Sequence, residues 1–169
     1  TLNLANNKLE EFHLSADDLG EVAANHLSWL SLKHNPFLKS LTLSGVAHSL
    51  EVLDVTHCRL QNLAALWGMR MLKSLACEHN ELHSLHEVVE QLPARELVSL
   101  SIHPNPCTVA DKKYAEPLIL SAPNLEKIDA RDVSATERRF LLELWKRKHE
   151  RAQAAEAGAG AGGEKSGGE

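Results

Sequence analysis

The sequence predicts an α/β fold: a solenoid whose short strands stack into a curved parallel sheet on the concave side, with an irregular or helical convex side and a helical cap at the C-terminal end. Leucine supplies 29 of the 169 residues against seven aromatics, a bias that accompanies repetitive architectures. Apolar residues return at nearly constant intervals, with Leu2, Leu30, Leu53, Leu75, Leu100 and Ile128 separated by 28, 23, 22, 25 and 28 residues. After the last regular turn the pattern changes, as it must where a solenoid covers its final row of leucines.

Every anchor has the same surroundings. Two residues after it stand Leu4, Leu32, Val55, Cys77, Ile102 and Ala130, and three before it Leu27, Leu50, Leu72, Leu97 and Leu125. Five after it come Asn7, Asn35, Cys58, Asn80 and Asn105, and seven after it Leu9, Phe37, Leu60, Leu82 and Cys107. The grammar L-x-x-L-x-L-x-x-N/C-x-L resembles that of leucine-rich repeats. Alternation of apolar and polar residues makes a short strand with one buried face, and neighbouring strands stack about 4.8 Å apart. A lone coil could not bury its leucines, so stability comes from stacking. The Asn slot turns the chain away from the strand, where a side-chain amide pairs with backbone groups of adjacent coils. Cys58 substitutes there, and Cys77 and Cys107 read as buried structural thiols.

Between the strands, Glu10–Ala24 and Glu87–Pro93 are longer and more polar, and read as the helical or irregular convex side. Leu38-x-x-Leu41-x-Leu43 imitates a repeat but lacks the Asn, and is expected on the convex return as an irregular second repeat.

A cap is expected after Asn105. Asn105-Pro106-Cys107, Tyr114, Pro123-Asn124-Leu125-Glu126-Lys127-Ile128-Asp129, Val133 and Glu137-Arg138 resemble the C-terminal cap of intracellular leucine-rich repeat proteins. That group includes protein phosphatase 1 regulatory subunits, the A-prime protein of a spliceosomal ribonucleoprotein, axonemal dynein light chains and nuclear export factors. The resemblance spans about residues 1–138 and implies the fold named above, with a partner held by the repeats. Ala115 stands where Arg usually follows the Tyr, and Ala130 where Gly often follows the Asp. Pro117 is expected to interrupt a helix over Asp111–Ala122.

Residues 1–133 form the repeats and cap, with a net charge of −6, and 134–154 a C-terminal amphipathic basic helix. Ser134-Ala135-Thr136-Glu137 is a capping box that should start this helix. Phe140 with Leu144, and Leu141 with Trp145, are i,i+4 pairs expected on one apolar stripe. Residues 155–169 hold six of the nine glycines and are expected to be a disordered tail. Thr1 opens the chain without a methionine, which suggests a piece of a longer protein. No apolar run approaches the roughly 18 residues of a membrane span. Three cysteines without paired spacing favour an intracellular, reducing setting.

Little here reads as chemistry. The body's glycines are isolated at 20, 45 and 68, so no phosphate loop is present, and His79, His83 and His86 are divided by the repeat turn. Neither a catalytic constellation nor a cofactor or metal site is expected, and the chain reads as a non-enzyme. The exposed strand positions are the candidate protein-binding face: Trp29, Ser31, Lys33, Val52, Asp54, Thr56, Glu78, His103, Lys127 and Arg131. Trp29 beside Val52 is an apolar spot on it, and Trp is enriched in binding hot spots. His34, His57 and His79 each precede the Asn/Cys slot, so they should stack roughly 5 Å apart. Protonation of such a column would weaken the stacking or a partner contact in mild acid. Arg138, Arg139, Trp145, Lys146 and Arg147 form a candidate partner helix. The expected function is an intracellular, non-catalytic protein-interaction scaffold. The alternative is a ribonucleoprotein component that holds an RNA-binding partner, since only the basic helix is suited to touch nucleic acid. No membrane contact is expected, and the sequence is silent on oligomeric state.

Overall fold

The computed structural model describes residues 1–15 and 26–160, with side chains as far as 154. The chain divides into two compact units, Thr1–Val133 and Ser134–Glu169. In the first, strands β1 (Leu2–Asn3), β3 (Trp29–Ser31), β5 (Val52–Asp54), β6 (Ser74–Ala76), β7 (Ser99–Ser101) and β8 (Lys127–Ile128) lie parallel in that order. A last strand, β9 (Arg131–Asp132), turns back antiparallel on β8. The pairing is in register on the anchors, from Leu2 on Leu30 through to Leu100 on Ile128. This is a leucine-rich repeat solenoid, and its core is the anchor column with the slot two residues on. Leu30, Leu53 and Leu100 are fully buried, as are Leu32, Val55, Cys77 and Ile102.

The asparagine slot works across coils. The Asn35 amide donates to the carbonyls of Leu4 (3.0 Å) and Leu32 (2.6 Å), while its oxygen accepts from the Leu9 N–H (3.1 Å). Asn80 donates to Val55, Cys77 and Glu78 and accepts from Leu60, and Asn105 donates to Cys77 and Ile102 and accepts from Asn80 and Leu82. Cys58 retains the donor half, its thiol reaching the Leu32 carbonyl at 3.3 Å. Burial pushes the Cys58 thiol up to about 11 and raises those of Cys77 and Cys107 as well, so all three stay protonated and unreactive. All three are unpaired and buried.

Several expectations need correction. The polar segment after Leu9 begins with a strand, β2 (Glu11–His13), and Leu41 lies in β4 (Ser40–Thr42). The two pair parallel as a separate two-stranded sheet, so part of the return is extended rather than helical. Residues 16–24 of this segment lie outside the described residues. Phe37, assigned to a core slot, is 47% exposed, because the next residue, Leu38, takes the buried place. The second polar link does form a helix, α1 (Leu85–Gln91), with the Ser84 hydroxyl accepting from the Glu87 N–H. In the cap, where an interrupted helix over Asp111–Ala122 is expected, α3 (Ala115–Ser121) follows a shorter helix α2 (Pro106–Ala110). Pro117 interrupts nothing, because it sits in the first turn of α3, where N–H groups have no partner inside the helix. Ala130, assigned to the core, is exposed at the β8–β9 turn with φ 64°, beside Asp129 at 45°.

The second unit is one helix, α4 (Ala135–Gly160), begun by the Ser134 hydroxyl accepting from the Glu137 N–H. It runs six residues beyond the expected end, to Gly160. The remaining tail, 161–169, lies outside the described residues. Leu141 is buried and Leu144 half-buried, whereas Phe140, Leu142 and Trp145 are exposed, so the expected single stripe is not formed.

Candidate functional site

Sheet geometry fixes the candidate face. Between core-pointing residues, strand side chains alternate outward, and the register sets Trp29 beside Val52, then Ser74, Ser99 and Lys127. The next column runs Asn3, Ser31, Asp54, Ala76 and Ser101. Trp29 and Val52 are half-buried neighbours, and Asp54 and Glu78 are half-exposed beyond them. Asp54 accepts from the Thr56 N–H at 3.0 Å, and the Thr56 hydroxyl donates to Glu78 at 3.3 Å. This chain holds both carboxylates in place. Lys33 is half-exposed in the same column as Thr56 and Glu78, and Lys127 is exposed on the last parallel strand.

Four expected members of this face behave differently. Ser31 and Thr56 are covered, at 4% and 5% exposure. Ser31 is a short side chain paired between Asn3 and Asp54, and Thr56 is drawn against Glu78. Arg131 leaves the column altogether, because the positive-φ turn at Asp129–Ala130 sends the chain into antiparallel β9. His103 is exposed but engaged by the cap: its Nδ1 lies 3.1 Å from the Thr108 hydroxyl and its ring stacks on Tyr114 at 5.7 Å. The Tyr114 hydroxyl donates to Asp129 at 2.7 Å, and the other Asp129 oxygen accepts from the N–H groups of Ile102 (2.7 Å) and His103 (2.9 Å). One carboxylate thus satisfies backbone donors that a further coil would otherwise take. Burial, then the bond to Asp129, pushes Tyr114 up to about 12.

The histidine column is a ladder. His34 and His57 stack with ring centroids 4.6 Å apart, and His57 and His79 with 4.0 Å. The spacing was legible in the sequence; the backbone reason was not. All three have φ between 53° and 57°, and Asn6 in the first coil has 60°, so this slot takes the left-handed conformation in the first four coils. Asn, Asp and His enter that region more readily than other non-glycine residues. In the fifth coil the slot is Pro104, preceded by a cis peptide. Loss of water, then the charges of His79, His34 and Lys33, hold His57 below the ordinary histidine value against a smaller pull from Glu78. Two recesses meet at the ladder. One is lined by Asn6, His34, Pro36 and Arg59, the other by Pro104, Pro106, Val109 and Ala110, and both by His57 and His79. Arg59 donates to Glu81 at 2.8 Å, which holds that carboxyl below the usual range.

On α4, Arg139, Lys146 and Arg147 are exposed and Arg138 is half-exposed. Trp145 is 48% exposed, its ring 4.1 Å from that of His149. Among the described residues, no group of three or more His, Cys, Asp or Glu is placed to hold a metal ion, and no helix is long and apolar enough to cross a membrane.

No family model and no curated protein matches the chain. By structure it is similar to a chain in the crystal structure of the Drosophila melanogaster SNF/U2A′ complex, with a TM-score of 0.52 and 20% identity, covering 91% of this chain and 86% of that one. At that identity the likeness is one of fold, and it agrees with what the register shows: the protein carries a leucine-rich repeat solenoid closed by a helical cap.

Proposed function

We propose that the chain is a non-catalytic, intracellular interaction scaffold that holds a protein partner on the concave sheet face within a larger assembly. The carrying observation is the Trp29–Val52 pair, a half-buried apolar spot on an otherwise polar sheet, bordered by Asp54 and Glu78. A partner element with an apolar residue and a neighbouring cation fits that spot, with Lys33 in the column beside it and Lys127 further along the sheet. The Drosophila likeness supports the reading, since that chain belongs to a protein complex. We divide the chain into a repeat-and-cap domain at 1–133 and a basic C-terminal helix from 134 to 160, followed by a tail.

A second reading, a ribonucleoprotein component, is favoured by α4, where exposed Arg139, Lys146 and Arg147 accompany exposed Phe140 and Trp145. Cations beside aromatic rings suit single-stranded nucleic acid. Affinity purification of the protein from its native cells, with and without nuclease, separates the two. Nuclease-resistant recovery of a protein that is lost with Trp29→Ala/Asp54→Ala is the expected result. Recovery abolished by nuclease, and indifferent to that double variant, would replace the scaffold reading by the ribonucleoprotein one.

A further inference from the structure

Four histidines outside the ladder are engaged by hydrogen-bonding or charged neighbours: His13 by Thr42 and Glu11, His83 by the Glu81 carbonyl, His86 by Glu90 and His103 by Thr108. His34, His57 and His79 stack on one another, and among the described residues their ring nitrogens have no hydrogen-bond partner. The rings are held in place by backbone rather than by partners, through the left-handed φ at each rung. His57 and His79 are exposed and His34 half-exposed, along the two joined recesses.

We propose that this ladder is a proton-linked docking site for an acidic peptide segment, separate from the sheet face and independent of the function proposed for it. Three rings 4.0–4.6 Å apart resist taking up charge together, because each new proton meets its neighbour's. A carboxylate laid along the edge removes that resistance and accepts from adjacent ring N–H groups. Glutamates on one side of an extended segment repeat about every 6.6 Å, close enough for two to serve three rungs. The fixed charges around the ladder cancel at neutral pH. Lys33 precedes the first rung and Glu78 the last, while Arg59 is paired with Glu81. Helix α2, which walls the far end, brings no charge. The sign of the site is therefore set by the rings. Proton uptake and peptide binding assist each other, since linkage is reciprocal. Glutamate itself ionises near 4.3, so it is still charged when the rings become so.

The test is titration of the whole chain with hexaglutamate at pH 7.5 and pH 5.5 at one ionic strength. Affinity should rise by about tenfold or more on acidification, one linked proton being worth up to tenfold per pH unit. The triple variant His34→Asn/His57→Asn/His79→Asn should lose that rise while keeping its other seven histidines. Asn6 already shows that asparagine suits this backbone slot, and unfolding at pH 7.5 verifies the fold. Should the triple variant not fold, His57→Asn alone, which removes the central rung, should cut the rise by more than half. An unchanged rise in these variants, or no binding to the parent at pH 5.5, overturns the proposal. So does ladder-dependent binding of hexauridylate as tight as that of hexaglutamate, which would assign the site to nucleic acid. Trp29→Ala should leave hexaglutamate binding unchanged, so the two sites fail or succeed separately.

Discussion

Asn80 makes three donations and one acceptance inside the stack. The Cys77 and Glu78 carbonyls also accept from Asn105 and from the His57 N–H, whereas the Val55 carbonyl and the Leu60 N–H depend on Asn80. Removing the amide leaves the Val55 carbonyl and the Leu60 N–H unpaired, at about 1–3 kcal/mol each. We expect Asn80→Ala to lose about 3 kcal/mol in urea unfolding and Cys58→Ala about 1 kcal/mol, because the thiol has no acceptor oxygen to lose and donates weakly. Ala130 gives the opposite case. It is held at φ 64° in an exposed turn, where a Cβ costs about 1 kcal/mol relative to glycine, so Ala130→Gly should raise stability by that amount in the same assay. Tyr114 is the only tyrosine, so its ionisation can be followed by phenolate absorbance. The folded protein should titrate near 12 against about 10 for the unfolded chain. Because folding raises this value, the associated stability is intact below pH 10 and is lost as pH climbs from 10 towards 12. Tyr114→Phe should abolish that alkaline loss.

At the scale of elements, the ladder couples successive coils to pH. Folding lowers the proton affinity of His57, so the unfolded state binds more protons in mild acid and stability falls with pH below the ordinary value of about 6.5. His57→Asn should flatten unfolding free energy between pH 7.5 and 5.5 relative to the parent; an identical slope would show that the other histidines set it. The elements also show where sequence reading succeeds. Anchors and asparagines recur in several slots at once, so register was legible down to individual residue pairs. Glu11-Phe12-His13 contains a single apolar residue and gave no sign of a strand; the pairing of β2 with β4 exists because the neighbouring coil offers an edge. Phe37 and Leu38 are adjacent and both apolar, and only packing decides which turns inward.

At the scale of the whole molecule, the candidate face was legible as columns but not as a surface. Ser31 and Thr56 stood in outward positions, yet exposure depends on what the next coil places beside them. Arg131 escaped because Asp129–Ala130 lacks the glycine that announces a tight turn. What survives on the face is Trp29 with Val52 and the carboxylates beyond. Trp29→Ala should weaken partner binding by about thirtyfold, equivalent to about 2 kcal/mol at a hot spot. Its thermal unfolding should shift by less than about 0.5 kcal/mol, as for a surface site. Comparable losses in both would assign Trp29 to the fold instead of the partner.

The left-handed backbone at Asn6, His34, His57 and His79 also restricts what mutation can write there. Glycine, asparagine, aspartate and histidine are the residues that enter this conformation cheaply, which gives each rung a four-letter alphabet: blank, neutral, negative or titratable. Exchanging one letter for another alters the charge and pH response of the edge while leaving the coil geometry alone. A solenoid of this kind can therefore change its electrostatic vocabulary by single substitutions, without repacking any leucine.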